Sequence, residues 1–218
     1  MILPVEKSKS SIRGAFILFE GCDRAGKSTQ AAKLFESLDA LGVPVKLWKF
    51  PDRTTLIGHM IDKYLKSGHD LDDRAIHLLF SANRWECKSV MKDILLDGTT
   101  LIVDRYAYSG VAYSAAKDLE LEWCKSPDIG LLTPDIVFFM DMKAEEAAKR
   151  GGFGEELYEK KEFQEKVRDV FMLLKERTWE TLDARKSVTE LYEHIGKMSL
   201  KIIQECKGLP LKEDLWKS

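Results

Sequence analysis

Residues 15–29 read Ala15-Phe16-Ile17-Leu18-Phe19-Glu20-Gly21-Cys22-Asp23-Arg24-Ala25-Gly26-Lys27-Ser28-Thr29, and the remainder of the chain is arranged around this stretch. An apolar run ends at Gly21, and the spacing from Gly21 to Gly26-Lys27-Ser28 is G-x-x-x-x-G-K-S, a phosphate-binding loop. Each residue type has a job. Gly21 and Gly26 permit backbone angles that a Cβ would forbid. The N–H groups of the loop, from Gly21 through Cys22, Asp23, Arg24 and Ala25 to Thr29, can then turn inward as an anion nest at a helix N-terminus. Lys27, expected as an exposed loop residue, adds a positive charge for the outer phosphates. Ser28 offers a hydroxyl to Mg²⁺. A helical spacing follows at Ala31, Leu34, Phe35, Leu38 and Leu41.

Outward from the loop, strands and helices alternate. Residues 15–19 predict a first strand and 27–41 a first helix, stopped by Gly42. Residues 45–50 predict a second strand, broken at Pro51. Residues 56–65 are helical. Asp72 or Asp73 caps a long helix running to about residue 96. Residues 100–103 predict a buried strand ending at Asp104. Residues 108–117 and 119–125 are helical. Residues 136–140 predict a strand, 144–149 start a helix, and three glycines in 151–154 interrupt it. A helix over about 161–177, a strand over 179–182 and an amphipathic helix over 187–206 complete the chain. This order implies an α/β domain with a parallel sheet covered on both faces. Ligands then bind beyond the carboxyl ends of the strands.

The 218 residues suffice for one such domain, read as 14–218 behind a flexible lead, 1–13. The net charge of −2 gives no global basic field for nucleic acid. No apolar run is long enough to span a membrane. Four cysteines without metal or disulfide spacing fit a reducing compartment, cytoplasmic or also nuclear. Cys22 reads as a small filler of the loop, with an oxidation-sensitive thiol as the alternative.

Asp104, at the end of a buried strand, can hold a water on the magnesium that Ser28 binds, which is favoured over a purely structural pair with Arg105. Arg105 and Arg53 carry forks suited to phosphate oxygens. Arginines at several strand ends exceed the needs of one nucleotide and point to a phosphorylated acceptor. Phe80 and Arg84 are four apart on one helix face. They could stack a base and bond its carbonyl, but spacing alone favours a core aromatic and a surface arginine. Lys149-Arg150 before the glycines reads as a hinged basic lid over about 149–160. Glu155, Glu156, Glu159 and Glu162 read as a solvated face, and His59 and His77 as structural.

These residues together resemble the thymidylate kinases, and their eukaryotic branch in particular. The resemblance is carried by residues 20–30, Phe50-Pro51-Asp52-Arg53, residues 78–86, residues 104–113 and residues 150–158. It implies a P-loop NTPase fold with a five-stranded parallel sheet, a homodimer, and transfer of the γ-phosphoryl group of Mg-ATP to dTMP for dTTP synthesis. It further implies that Asp23 meets the acceptor's 3′-hydroxyl and that Arg53 and Arg105 hold its 5′-phosphate. By the same resemblance Phe80 stacks the thymine and Arg84 bonds its O4. Phe50, Ser109, Gly110, Tyr113, Tyr158 and Gln164 line that pocket. Arg150 lies against the adenine of ATP opposite Arg185 and Lys186. From its place two residues before Gly26, Arg24 is set to reach the bridge between the β- and γ-phosphates and stabilise the transferring group. Tyr108 and Tyr113 stand where phenylalanine is expected among relatives. Another nucleoside monophosphate kinase, or a nucleotide switch, remains the alternative; a GTP switch would carry N-K-x-D, which is missing here.

Overall fold

The computed structural model describes residues 12–67, 71–150 and 157–217. Five strands form one all-parallel sheet in the order β2-β3-β1-β4-β5. They are β1 (Phe16–Glu20), β2 (Val45–Lys49), β3 (Thr100–Asp104), β4 (Ile136–Asp141) and β5 (Trp179–Asp183). The helices are α1 (Lys27–Ala40), α2 (Leu56–Ser67), α3 (Asp73–Leu96), α4 (Ala107–Ala115), α5 (Leu121–Lys125), α6 (Ala144–Ala147), α7 (Lys161–Leu174) and α8 (Val188–Glu205).

The period of two along β1 builds both halves of the core. Phe16 and Leu18 join a cluster with Met91, Val111, Phe139 and Phe171, on the α3, α4 and α7 side. Ile17 and Phe19 face the other way, onto Leu34, Leu38, Leu191 and Ile195 of α1 and α8. A central strand buried on both faces must therefore be apolar throughout, as β1 is. Each large side chain so buried contributes about 1.5–3 kcal/mol. β2 lies at the sheet edge and is partly exposed.

Local chemistry sets the element ends. The Asp72 side chain accepts from the N–H groups of Arg74 and Ala75 and starts α3. Ser187 and Glu190 form a capping box on α8. Gly42, at φ +71°, lets the chain leave α1. Two expectations need correction. α7 ends at Leu174 rather than near residue 177, because the chain must extend at Lys175 to bring Trp179 of β5 against Phe139 and Phe171. The lead does not reach residue 13: Arg13 is buried and makes a two-pronged ion pair with Asp135. Residues 1–11 lie outside the described residues.

The connection leaving β1 crosses to one side of the sheet, and the connection leaving β3 crosses to the other. The crevice at this switch point opens between the carboxyl ends of β1 and β3. The phosphate loop and Asp104 meet there.

Candidate active site

A cleft of about 530 Å³ occupies this crevice. Its floor is the loop between β1 and α1. Gly21 has φ +139°, and a Cβ there would stand 2.6 Å from the Met140 carbonyl oxygen. Gly26, the residue before α1, has φ +94° and also requires glycine. Lys27 opens α1. It is 5% exposed, so the expectation of an exposed residue is corrected. Its Nζ donates to the Cys22 carbonyl oxygen at 2.6 Å. Burial, with Arg105 adding to it, lowers the Lys27 pKa to about 8. The sequence could not reveal this, since Asp104 and Arg105 come close to Lys27 only in the folded chain.

The Ser28 hydroxyl donates to Oδ2 of Asp104. Among the described residues, Oδ1 of Asp104 is buried without a hydrogen-bond partner. Thr29 is exposed on the same side of the cleft. Cys22 is buried, and desolvation pushes its thiol up to about 12, so the filler reading stands over the reactive one. Gly21, Cys22 and Ala25 shape the loop without lining the cleft.

Asp23 and Arg105 stand at the centre. The Arg105 guanidinium bonds the Asp23 carboxylate, the Gly21 carbonyl oxygen and the Ser109 hydroxyl, and lies over the Tyr113 ring. Burial raises the Asp23 pKa, but Arg105 and Lys27 outweigh it and hold the carboxyl below its ordinary value. Arg24 and Arg105 both adopt left-handed backbone, at φ +60° and +69°. For residues with a Cβ this costs about 1–3 kcal/mol, and such strain gathers at functional sites.

One arm of the cleft runs from the loop to Arg150. Its guanidinium donates to the carbonyl oxygens of Arg24 (2.8 Å) and Ala184 (2.7 Å). The start of the expected lid is thus tied to both the phosphate loop and the turn after β5. Arg185 and Lys186 do not line the cleft, and Arg185 pairs with Asp183. Arg24 pairs with Glu159, which is buried rather than solvated as expected; its partner is what permits burial. Glu162 is exposed, and Glu155 and Glu156 lie outside the described residues.

The other arm is lined by Phe50, Arg53, Phe80, Arg84, Ser109, Gly110, Tyr113, Lys117 and Tyr158. Arg53 pairs with Asp62 of α2. Phe80 is half-buried beside Leu65 and Tyr158. Arg84 is only 2% exposed, which rules out the surface arginine. Tyr108 is elsewhere, in the core against Trp179 and Trp216; of the two tyrosines only Tyr113 lines the cleft. Gln164 does not line it either. It sits behind Asp23, accepting from its N–H (2.9 Å) and donating to its Oδ2 (2.7 Å).

Several residues that sequence reasoning left without a role hold these groups in place. Glu20, fully buried, accepts from the N–H groups of Tyr106 and Ser109 and from the Ser109 hydroxyl. It caps α4, whose preceding residue Tyr106 makes no side-chain cap. Burial raises the Glu20 pKa, with Ser109 and Arg105 opposing. Asn83, buried in α3, brackets the backbone of Asp52 with both amide atoms and so steadies the turn that carries Arg53. Lys117 ties Asp73 to the Tyr158 hydroxyl. The only sequence signal for Glu20 and Asn83 was a polar residue at a position that strand or helix period buries. His77 is structural as expected, bonded to the Ser114 hydroxyl and the Cys124 carbonyl.

The arrangement gathers Lys27, Arg53, Arg105 and Arg150 around one cleft, with Asp23 and Arg105 at its centre and Phe50, Phe80, Tyr113 and Tyr158 among the lining of one arm. Comparison with known proteins agrees with this geometry. The thymidylate kinase family model matches residues 19–195. A thymidylate kinase of Arabidopsis thaliana is 52% identical over 97% of this chain and 81% of its own length. The human thymidylate kinase is 48% identical over 94% of this chain and 98% of its own. A solved thymidylate kinase structure from Candida albicans superposes with a TM-score of 0.80 at 40% identity, covering 93% of this chain and 96% of that one. Together with the cleft, these matches establish that the chain belongs to the thymidylate kinase family.

Proposed function

We propose that the chain transfers the γ-phosphoryl group of ATP to the 5′-phosphate of dTMP, giving dTDP and ADP on the route to dTTP. The observation that carries this reading is one cleft with two arms: the phosphate loop and Arg150 line one, and Arg53, Phe80 and Arg84 line the other. The acceptor phosphate is itself the nucleophile. With a second pKa near 6 it is largely ionised at neutral pH and needs no protein base. Catalysis is then positioning and charge neutralisation.

In this reading Lys27 and the N–H groups of residues 21–29 hold the β- and γ-phosphates. Arg53 and Arg105 hold the acceptor phosphate, and Asp23, steadied by Gln164, meets the 3′-hydroxyl. Phe80 stacks the base, Arg84 bonds O4, and Phe50, Ser109, Gly110, Tyr113 and Tyr158 close around them. Arg24 stabilises the transferring group. Arg150 lies on the adenine side, with Arg185 and Lys186 contributing from the facing turn once nucleotide is bound. Magnesium enters with ATP and supplies charge neutralisation. The oxygen donors Ser28 and Asp104 suit it, and the unpartnered Oδ1 of Asp104 can take a water of its shell.

Phosphorus NMR of the protein with Mg-ATP and dTMP tests the reading. A growing dTDP β-phosphate signal matched to loss of the ATP γ-signal is expected. ATP breakdown to inorganic phosphate without dTDP would refute it.

A homodimer is proposed with it, supported by the exposed apolar side chains Leu56 and Met60 of α2 and Leu78 and Val90 of α3. Light scattering at micromolar concentration, giving twice the 24.9 kDa chain mass, checks this. Among the described residues no helix is long and apolar enough to cross a membrane. The four cysteines are free, which supports a cytoplasmic or nuclear setting.

A further inference from the structure

We propose that Asp128 is a positioning residue for acceptor selection: it locks the guanidinium plane of Arg84, leaving the Nη1 side of the fork for the base, and so makes the pocket refuse a 4-amino pyrimidine. The inference rests on the reading of Arg84 as the group that meets the base.

Asp128 closes a single 3₁₀ turn, Ser126–Asp128, between α5 and β4. It is fully buried and does not line the cleft, so it cannot itself touch a substrate. Its Oδ1 accepts from Arg84 Nε at 3.1 Å and its Oδ2 from Arg84 Nη2 at 2.6 Å. Ser81, one turn earlier on α3, donates to Oδ1 at 2.7 Å. The carboxylate therefore takes the whole Nε–Nη2 edge of the fork. Among the described residues Nη1 has no hydrogen-bond partner, and with the second N–H of Nη2 it is what Arg84 retains for a ligand.

A second restraint acts on the flat face of the group. A Cβ placed on Gly110 would stand 2.7 Å from Nη2, 2.9 Å from Nη1 and 3.0 Å from Cζ. The guanidinium thus lies directly on the α4 backbone, and only glycine allows it. Held along one edge and over one face, it can neither swing nor turn.

The turn bearing Asp128 is itself fixed to the same helix face. Trp85 donates to the Pro127 carbonyl oxygen at 2.6 Å, the Ser81 hydroxyl lies 3.2 Å from the same oxygen, and Lys88 donates to the Gly130 carbonyl oxygen at 2.9 Å. Residues 81, 84, 85 and 88 follow the three-four spacing of one helix stripe. The C-terminal segment braces the turn from outside, through the bond from Gly130 N–H to the Leu215 carbonyl oxygen.

The chemical consequence follows from the donor inventory. A guanidinium has no acceptor, so a fixed Nη1 suits a keto oxygen and leaves an exocyclic amine facing N–H with no partner. Discrimination needs the donor held to within about 0.5 Å, which supporting hydrogen bonds provide. A guanidinium freed from Asp128 could withdraw and admit the amine.

The test is a cycle of kcat/KM ratios for dTMP over deoxycytidine monophosphate, measured on the full chain as wild type, D128N, R84Q and the double variant. KM for ATP and a thermal melt accompany each. D128N is expected to raise KM for dTMP about tenfold and lower the ratio by about tenfold or more, with KM for ATP and kcat little changed. In the R84Q background D128N should change the ratio no further, because it acts through Arg84. A folded D128N with the wild-type ratio overturns the proposal, as does an equal loss in both backgrounds. If R84Q alone leaves the ratio unchanged, the reading of Arg84 itself is wrong, and the inference falls with it. Should D128N fail to fold, G110A decides, since it pushes on the flat face of the same guanidinium without altering the Asp128 side chain itself. A lowered ratio supports the proposal, and a wild-type ratio in folded G110A overturns it.

Discussion

Replacing Lys27 by methionine should move activity and stability in opposite directions. Methionine keeps an unbranched stem and removes the ammonium. In the resting site that ammonium is buried, and its pKa falls from the ordinary 10.5 to about 8. The charged form is thus disfavoured by about 3 kcal/mol relative to the unfolded chain. The substitution also forfeits the bond to the Cys22 carbonyl oxygen, worth about 1–2 kcal/mol with the carbonyl left unpaired. The variant should therefore gain about 1–2 kcal/mol at pH 7, or several degrees in melting temperature for a chain of this size. The sign with pH is fixed by proton binding. Between about 8 and 10.5 the unfolded wild type holds a proton on Lys27 that the folded protein has released. Wild-type stability rises through that window, and the advantage of the variant shrinks. Turnover should collapse by about 10²–10³-fold, the effect of removing one preorganised donor from a developing charge. Melts at pH 7 and 9.5, beside coupled ADP release at saturating substrates, measure both. Turnover within tenfold of wild type, or a lower melting temperature at pH 7, would refute the reasoning.

Other substitutions probe the two arms separately. Phe80→Ala should weaken dTMP binding by about 1–3 kcal/mol by titration calorimetry and leave ATP binding nearly unchanged, whereas equal weakening of both would deny base stacking. Arg24→Ala should slow single-turnover transfer by about 10³-fold or more, while Arg150→Ala should mainly raise the ATP requirement; the reverse order would move the catalytic arginine to the lid. An acceptor with a 3′-azido group should lose turnover more than binding, because Asp23 sits in the loop beside the reacting phosphates, and equal turnover with dTMP would contradict that. Cys22, held near 12, should resist iodoacetamide in the native protein at pH 8 by peptide mass mapping, and prompt labelling would show a thiolate there.

What could be read in the sequence was whatever chemistry is local. Gly21 to Ser28 state their function through spacing, and Asp104 follows from the end of a buried strand. The alternation of β1 fixes both faces of the sheet. The residues that make the cleft work as a site were less visible, because their partners are far along the chain. Glu20 and Ser109 are 89 positions apart, Asp23 and Gln164 are 141, and Arg84 and Asp128 are 44. Helical period could place Arg84 on a face but could not distinguish solvent from a buried carboxylate. The burial of Lys27 and Glu159 was illegible for the same reason: each is enclosed by segments that only the folded chain brings together.

The central claim is that one cleft sets the dTMP phosphate against the γ-phosphate of ATP. A crystal structure with dTMP, magnesium and a non-hydrolysable ATP analogue tests it most directly. The account predicts thymine against Phe80 with O4 at Arg84, the acceptor phosphate between Arg53 and Arg105, and an acceptor oxygen about 3–3.5 Å from the γ-phosphorus, in line with the bridging oxygen. A thymine bound on the Arg150 side, or an acceptor phosphate out of reach of the loop, would contradict it.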